Sequence, residues 1–191
     1  MTNPEDGRLA RGAVRRDLLL DSAVRVVASA GSGSLTHRAV ASEAKVSVAS
    51  TTYHFPSISD LRSATLEHAG SRIGMQLVRL VSDATASVED TPDICAAFAV
   101  RLVEEQRVDT AAVFELIVAA GHDEAVRPVV AAFNGYLANV LVPYIGDRER
   151  ALRVAAAIQG LLLVHLAGSS SSSELGAAVA DLIRRYRATP N

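Results

Sequence analysis

Residues 35–57 read LTHRAVASEAKVSVASTTYHFPS and predict two short helices joined by a tight turn. Thr36 is a favourable N-cap for the first helix, and Ser47 is a favourable N-cap for the second. Pro56 ends the second helix, because proline disfavours a helical conformation in the residue before it. Two short helices joined by a turn of three or four residues are typical of a helix-turn-helix unit. The alternative is two short helices within an ordinary helical bundle.

The second of these helices carries small, hydroxylated or amphipathic side chains, as a helix that enters the major groove of DNA requires. Tyr53 and His54 at its end have the reach for phosphates, and the free N–H groups at the start of the first helix form a phosphate site. Tyr53 also fits a half-buried anchor. With an arginine from the preceding helix, the predicted DNA-binding residues are Arg15, Thr36, His37, Arg38, Lys45, Ser47, Val48, Ala49, Ser50, Thr52, Tyr53 and His54.

Charge is distributed unevenly along the chain. The 191 residues carry 19 basic and 21 acidic side chains, and the net charge of -2 argues against a uniformly basic nucleic-acid coat. Residues 1–65 hold eight basic and six acidic side chains, whereas residues 66–191 hold eleven and fifteen. The balance is therefore +2 around the helix-turn-helix and -4 in the remainder, so the cationic excess lies where DNA contact is predicted.

The rest of the chain is predicted to be helical, which makes the fold class all-α with about nine helices. A first helix starts near Arg11, and the later starts are signalled by capping residues or by proline near the first helical position. These later starts are Ser57 or Ser59, Thr91 with Pro92, Asp109, Asp123 (for a helix ending before Pro143) and Asp147. Residues 169–173 are all serine and predict a flexible linker before a last helix. We predict a disordered arm over residues 1–10, a helix-turn-helix domain over 11–56 and a larger C-terminal domain over 57–191.

Residues 16–61 resemble the N-terminal domain of TetR-family transcriptional regulators. The resemblance rests on the first helix, on residues 35–41 and 44–47, and above all on residues 53–57 followed by Asp60 and Leu61. It implies an all-α homodimer. The small domain of each subunit would bind DNA, and the larger C-terminal domain would hold a ligand pocket and the dimer interface.

Two residues depart from the family pattern. The family usually has glycine where Lys45 stands, and a left-handed backbone at a non-glycine residue costs roughly 1 kcal/mol or more. The family also usually has lysine where Ile58 stands, and that lysine commonly contacts a phosphate. Isoleucine cannot make this contact, and an arginine such as Arg62 could replace it.

The C-terminal region offers candidates for the ligand pocket and the dimer interface. Apolar walls with a few polar groups suit a small-molecule cavity, although the same residues also suit an ordinary helical core. The predicted pocket residues are Phe98, Leu102, Phe114, Ile117, Val118, Phe133, Tyr136 and Leu137. The last two helices have broad apolar faces that could pair with a second copy as a four-helix bundle. The predicted interface residues are Gly160, Leu161, Val164, Leu175, Val179, Leu182 and Ile183.

Other chemistries find little support in the sequence. Cys95 is the one cysteine, which rules out an internal disulfide and a cysteine-rich zinc site. We find no metal-ligand spacing, phosphate loop or nucleophile motif, so we expect neither a metal nor a cofactor and no enzyme activity. No signal peptide is evident and the apolar run over residues 155–167 is too short to span a bilayer, which predicts a cytoplasmic protein.

The sequence therefore predicts a homodimeric regulator that binds a palindromic DNA operator and responds to a small-molecule effector. The resemblance to the TetR family implies that the regulator represses transcription. A second hypothesis is an all-α sensor or carrier of small molecules that does not act through DNA.

Overall fold

The computed structural model describes residues 4–83 and 90–187. Within these residues the chain forms nine α-helices and one 3-10 turn, and no strand, so the predicted fold class is confirmed. The helices are α1 (Pro4–Ala30), α2 (His37–Glu43), α3 (Val48–His54), α4 (Ile58–Asp83), α5 (Thr91–Glu104), α6 (Arg107–Ala119), α7 (Arg127–Ile145), α8 (Arg148–Leu166) and α9 (Ser172–Tyr186). The 3-10 turn covers Ser32–Ser34, between α1 and α2.

Polar side chains at the predicted positions cap the helices of the N-terminal half. The backbone N–H of Ala39 donates to Oγ1 of Thr36 at 3.1 Å, and that of Ser50 donates to Oγ of Ser47 at 3.3 Å. At the start of α4, Ser57 and Asp60 accept reciprocally from each other's backbone N–H, both at 3.0 Å. Each cap satisfies a donor that the first turn leaves without an intrahelical partner, which explains why these helices begin where the sequence predicts.

The serine-rich run before α9 is ordered by a capping box, so the prediction of a flexible linker was wrong. The N–H of Ser171 donates to Oε2 of Glu174 at 2.7 Å, and the N–H of Glu174 donates to Oγ of Ser171 at 3.3 Å. Composition alone suggested flexibility, but a serine followed three residues later by glutamate is a helix start signal.

Several predicted boundaries need correction. α1 begins at Pro4, because proline suits the first position of a helix, so most of the predicted disordered arm is helical and only residues 1–3 lie outside the described part. α7 begins at Arg127 instead of Asp123 and continues through Pro143 to Ile145. Only two helical residues follow this proline, so the interruption comes at the end of the helix. The predicted end of the fourth helix near Ala86 lies outside the described residues.

The chain divides into two compact units, each made from two stretches of sequence. The first unit comprises Met1–Ala69 and Ala111–Val129, and the second comprises Gly70–Thr110 and Val130–Asn191. The predicted boundary at residue 57 therefore falls inside the first unit. The helix-turn-helix shares this unit with the start of α4, most of α6 and the loop that follows α6.

The core of the first unit is aliphatic apart from one aromatic ring. Residues three and four apart on α1 turn toward it, and the linking segments contribute their apolar side chains, as expected for amphipathic helices. The fully or almost fully buried members are Leu19, Leu20, Val24, Val27, Leu35, Val40, Phe55, Leu61, Leu66, Leu116 and Val126.

The core of the second unit is formed where α5, α8 and α9 pack together, joined by the last turns of α7. Its central cluster is Ala138, Leu141, Ile145, Ala151, Val154, Ala155 and Ile183. Cys95 and Leu137 pack against this cluster. Burial raises the pKa of the Cys95 thiol to about 11, so this cysteine is a small apolar side chain at neutral pH.

Among the described residues, α7 is long and apolar enough to cross a membrane by length and composition. The length of uninterrupted apolar segments in the sequence did not predict this helix, because polar residues such as Asn134 and Asn139 interrupt its apolar residues. One such helix is weak evidence for a membrane span, since a helix in the core of a soluble protein passes the same test.

Candidate DNA-binding site

The turn between α2 and α3 is closed by the backbone. The N–H of Val46 donates to the carbonyl of Ala41 at 2.9 Å, and the N–H of Lys45 donates to the carbonyl of Ser42 at 3.2 Å. This pair of bonds is a Schellman motif, which requires a left-handed residue after the helix. That residue is Lys45 with φ of 55°, the one non-glycine residue with positive φ in the described part of the chain. The expectation of a left-handed Lys45 is therefore confirmed.

One face of α3 is open to solvent and carries small, hydroxylated or amphipathic side chains. Val48, Ala49, Thr52 and Tyr53 are exposed, and their spacing places them side by side on the helix. Tyr53 is 83% exposed, so it is not the half-buried anchor that we considered as an alternative. Thr51, on the opposite face, is fully buried and holds α3 against the core.

The hydroxyl groups predicted to contact DNA have local roles as well. Oγ1 of Thr36 and Oγ of Ser47 accept from backbone N–H groups as caps, so each hydroxyl hydrogen remains available to a further acceptor. The hydroxyl of Thr52 lies 3.2 Å from the carbonyl oxygen of Ala49. Thr52 therefore donates within its own helix.

The end of α3 is held by side chains from α1 and α2. Nε2 of His37 lies 2.7 Å from the carbonyl oxygen of Phe55, the residue that ends α3. The guanidinium of Arg16 lies over the Phe55 ring, 5.3 Å from its centroid. The sequence predicted His37 as a DNA contact, and this bond within the fold was missed because it spans 18 residues.

The arginine side chains around the helix-turn-helix have different surroundings. Arg15 and Arg38 are exposed, as is Lys45. Arg25 donates from Nε to Oε1 of Glu43 at 2.7 Å, which neutralises its charge locally. The exposed cations that the sequence predicted as DNA contacts are thus accessible on the surface of the first unit.

Sequence reasoning also missed three attachments between residues 115–125 and the helix-turn-helix region. Oε2 of Glu115 accepts from the backbone N–H of Ser32, the residue that opens the 3-10 turn before α2, at 3.0 Å. Asp123 accepts from Oγ of Ser59 at 3.0 Å and from Arg62 at 3.0 Å. The hydroxyl of Ser63 donates to the carbonyl of Ala125 at 3.3 Å. These partners are 61 to 83 residues apart, and no local sequence pattern signals such pairs.

Asp123 is the most strongly held carboxylate of this set. The hydrogen bond from Arg62 is the main cause that lowers its pKa below the usual range, and bonds from Ser59 and from the backbone N–H of Ala125 act in the same direction. Desolvation raises the pKa but is outweighed. The side chain is only 11% exposed, so the ion pair with Arg62 is largely shielded from water.

The predicted pocket residues are distributed over both units. Phe114, Ile117 and Val118 belong to the first unit, and the other five belong to the second. Val118 is 67% exposed, because α6 turns Val113 and Leu116 inward and leaves Val118 on the opposite side. This exposure corrects the prediction that Val118 lines the pocket. In the second unit, Phe98 and Leu102 are buried core residues, and Leu137 packs against the central cluster.

Two of the predicted pocket residues pack against glycines of α4. A Cβ placed on Gly70 would lie 3.0 Å from the ring of Phe133, and one on Gly74 would lie 2.9 Å from the ring of Tyr136. The Tyr136 hydroxyl also donates to the carbonyl of Gly74 at 3.1 Å. The glycines therefore allow these aromatic rings to approach the backbone of α4 closely.

The predicted dimer-interface residues separate into exposed and buried groups. Gly160 and Val164 on α8 are exposed, and Leu161 and Leu182 are half-buried. Leu175, Val179 and Ile183 are 3%, 0% and 0% exposed. This is a correction: these three side chains fill the core of their own subunit against α5 and α8 and are not available to a second copy. An apolar helix face is compatible with both uses, and burial within the subunit decides between them.

No group of three or more potential metal ligands is present among the described residues. The fold and the site together define a class, the all-α DNA-binding regulators built on a helix-turn-helix. Two family models match the chain: residues 19–65 match "Bacterial regulatory proteins, tetR family", and residues 86–188 match "Tetracyclin repressor-like, C-terminal domain". The chain belongs to the TetR family and is a ligand-responsive DNA-binding transcriptional regulator.

Solved structures agree over nearly the whole chain. The multidrug binding protein EbrR in complex with imidazole is 28% identical, with a TM-score of 0.76 over 93% of this chain and 97% of that one. EbrR in complex with ethidium is 28% identical, with a TM-score of 0.72 over 88% and 97%. A TetR-family member from Streptomyces coelicolor A3 is 29% identical, with a TM-score of 0.73 over 88% and 97%. Comparison with curated protein sequences gives no match.

Proposed function

We propose that the chain acts as a homodimeric repressor that binds a palindromic operator and leaves it when a small molecule binds. The observation that carries the DNA-binding part is the exposed face of α3 with its small and hydroxylated side chains. This short helix is capped at its start by Ser47 and held at its end through Phe55. Each subunit would place α3 in the major groove of one half-site, and the two-fold symmetry of the dimer would match the palindrome.

The contacts follow from position on this face. Ala49, Thr52 and Val48 are small enough to approach base edges, with methyl groups suited to the thymine methyl. Tyr53 projects from the end of α3 and reaches the phosphate backbone. Arg15, Arg38 and Lys45 supply the charge that holds the subunit on the duplex, with Thr36, Ser47, Ser50 and His54 as further polar contacts.

The class of effector to test first is the aromatic cation. Structures of EbrR contain ethidium, proflavin and malachite green, all of which are aromatic cations. In this chain, residues 66–191 carry a net charge of -4, which favours a cationic ligand over an anionic one. Phe133 and Tyr136 provide aromatic surface for stacking.

An effector titration tests this class directly. Ethidium and proflavin absorb visible light, which protein side chains do not absorb, so their fluorescence can be followed without protein background. DNA is left out because both dyes intercalate into it. We expect saturable binding that weakens in Tyr136→Leu and is unchanged in Val14→Ala, a substitution at an exposed position of α1. Equal binding by both variants would count against this placement of the dye.

The dimer interface that we propose is the exposed stripe of α8. Leu152, Ala156, Gly160 and Val164 recur every four residues and are exposed, and Leu163 beside them is 48% exposed. Small residues in such a stripe allow two helices to approach closely, and apolar surface of this kind is normally covered by a partner.

Selection from a random-sequence duplex library tests the DNA-binding role. We expect a palindromic consensus whose affinity falls steeply with salt concentration. Recovery of no duplex, with dye binding retained, would favour the second hypothesis of a small-molecule sensor or carrier that does not act through DNA. We further propose that the protein works in the cytoplasm, at no membrane, and without an enzymatic activity or cofactor of its own.

A further inference from the structure

The carbonyl group of Phe55 needs a partner from outside its own helix. Phe55 ends α3, where its N–H closes the last turn by donating to the carbonyl of Thr51 at 2.9 Å. Its backbone then turns to an extended conformation, with φ of -136° and ψ of 94°, ahead of Pro56. Its carbonyl oxygen is therefore outside the hydrogen-bond ladder of α3, beside a ring that is only 2% exposed.

His37, the first residue of α2, supplies that partner. Nε2 lies 2.7 Å from the carbonyl oxygen, a short distance for an N–H···O bond. A carbonyl oxygen can only accept, so Nε2 must carry the hydrogen. The neutral ring is thereby restricted to one tautomer, with its hydrogen on Nε2 and a bare lone pair on Nδ1.

This bond acts on the orientation of α3. α3 has only seven residues, and its end at Phe55 is held twice. His37 ties the Phe55 carbonyl to α2, and the Arg16 guanidinium over the Phe55 ring ties it to α1. The exposed face with Thr52 and Tyr53 lies within one turn of this anchor. A shift at Phe55 would rotate or displace the side chains that meet the DNA.

We propose that His37 is a positioning residue of the DNA-binding site: through the hydrogen on Nε2 it holds the end of α3 at the Phe55 carbonyl, and it does not bind phosphate. The inference rests on the proposed placement of α3 in the major groove. It differs from the prediction made from sequence, which placed His37 among the DNA contacts.

The tautomer can be measured without DNA. In a two-dimensional ¹H–¹⁵N spectrum of the imidazole rings near pH 8, the His37 signals, assigned by their loss in His37→Gln, should show the Nε2–H tautomer. A hydrogen on Nδ1 would overturn the proposal, because Nε2 could not then donate to Phe55. This measurement is made on the wild-type chain without DNA, so it stands even if no duplex is selected.

Two substitutions separate positioning from DNA contact. The amide nitrogen of glutamine can take the place of Nε2, whereas that of asparagine stands near Nδ1 and falls short of Phe55. On a duplex that the wild-type chain selects from a random library, we expect His37→Gln to bind within about twofold of wild type. We expect His37→Asn to bind about threefold to tenfold more weakly per subunit, the loss of one hydrogen bond.

The salt dependence of binding distinguishes the mechanisms further. A positioning residue leaves the slope of log K against log salt unchanged, whereas Arg38→Ala should make the slope shallower by about one per subunit. Equal weakening by the glutamine and asparagine variants, or a shallower slope in either, would overturn the proposal. If no duplex is selected, the DNA-binding role itself fails, and the tautomer measurement still reports on the bond.

Discussion

Arg62 on α4 donates from Nη1 to Oδ2 of Asp123, 61 residues further along the chain, at a distance of 3.0 Å. The bond joins the start of α4, which directly follows the helix-turn-helix, to the loop between α6 and α7. Ser59 donates to the same carboxylate. Removing the carboxylate with Asp123→Ala leaves the Arg62 guanidinium, 26% exposed, without this partner. We expect a loss of about 1–2 kcal/mol of unfolding free energy, measured by urea denaturation.

The same ion pair predicts a pH dependence. The pKa of Asp123 is lowered in the folded chain, mainly by the Arg62 hydrogen bond, so its contribution is fully present above the unfolded pKa of about 4. It is lost as the pH falls through the folded pKa. Wild type should therefore lose more stability than Asp123→Asn between about pH 5 and pH 3. Asp181→Asn, at an exposed i,i+4 pair with Arg185, is the control and should follow wild type; parallel curves for all three proteins would refute the assignment.

The contact between Gly74 and Tyr136 predicts an asymmetry among glycine substitutions. An added Cβ at Gly74 would lie 2.9 Å from the Tyr136 ring, which is held by its own hydrogen bond to the Gly74 carbonyl. Gly74→Ala should cost about 1–3 kcal/mol of unfolding free energy. Gly12→Ala in α1 meets nothing within 4 Å and should gain up to about 1 kcal/mol from helix propensity. Thermal unfolding followed by circular dichroism compares the two, and equal melting temperatures would contradict the packing.

Lys45 offers a prediction in which stability and DNA affinity change in opposite directions. Its φ of 55° is strained for lysine and natural for glycine. Lys45→Gly should raise the unfolding free energy by about 1 kcal/mol and weaken DNA binding, with a salt slope shallower by about one per subunit. Lys45→Arg keeps both the charge and the strain, so it should resemble wild type in both assays. A stabilised glycine variant with unchanged DNA affinity would remove Lys45 from the DNA contacts.

Substitutions on the exposed face of α3 should weaken DNA binding without changing the stability of the fold. Tyr53→Ala and Thr52→Ala remove side chains that are exposed, so each should weaken operator binding without moving the melting temperature. Thr51 is the matched control, because its buried hydroxyl oxygen makes no hydrogen bond among the described residues. Thr51→Val should bind DNA normally and gain about 1 kcal/mol of stability. Normal DNA affinity in both exposed variants would place the DNA elsewhere.

The proposed interface on α8 is tested by charge. Val164 is 51% exposed in the single subunit, so Val164→Asp should be tolerated by the fold and should yield monomers in sedimentation velocity experiments. Val118→Asp, on a 67% exposed residue of α6, should remain dimeric. Ile183 is unsuitable for this test because it is fully buried, and a charge there would unfold the chain. A stable dimer of Val164→Asp would place the interface on another surface.

The elements that local sequence signals specify were predicted well. Capping at Thr36, Ser47 and Asp147 and the break at Pro56 depend on residues within one helical turn of each other, and such short-range preferences act in any fold. The left-handed Lys45 belongs to the same category. Two regions were predicted wrongly. In the serine run, composition indicated a linker although a specific capping pair starts a helix there. In α7, a proline lies close to each end of the helix.

The sequence by itself determined the all-α class, the helix-turn-helix and the small, hydroxylated side chains of α3, because these follow from periodicity and caps along one stretch of chain. Tertiary structure alone decided which apolar residues stay on the surface. Val164 is exposed, whereas Leu175, Val179 and Ile183 are buried in the core of the subunit. It also decided that His37 bonds to Phe55 and that Glu115 and Asp123 attach to the helix-turn-helix region. These pairings join residues 18 to 83 positions apart, and a contact of that range depends on how the helices pack.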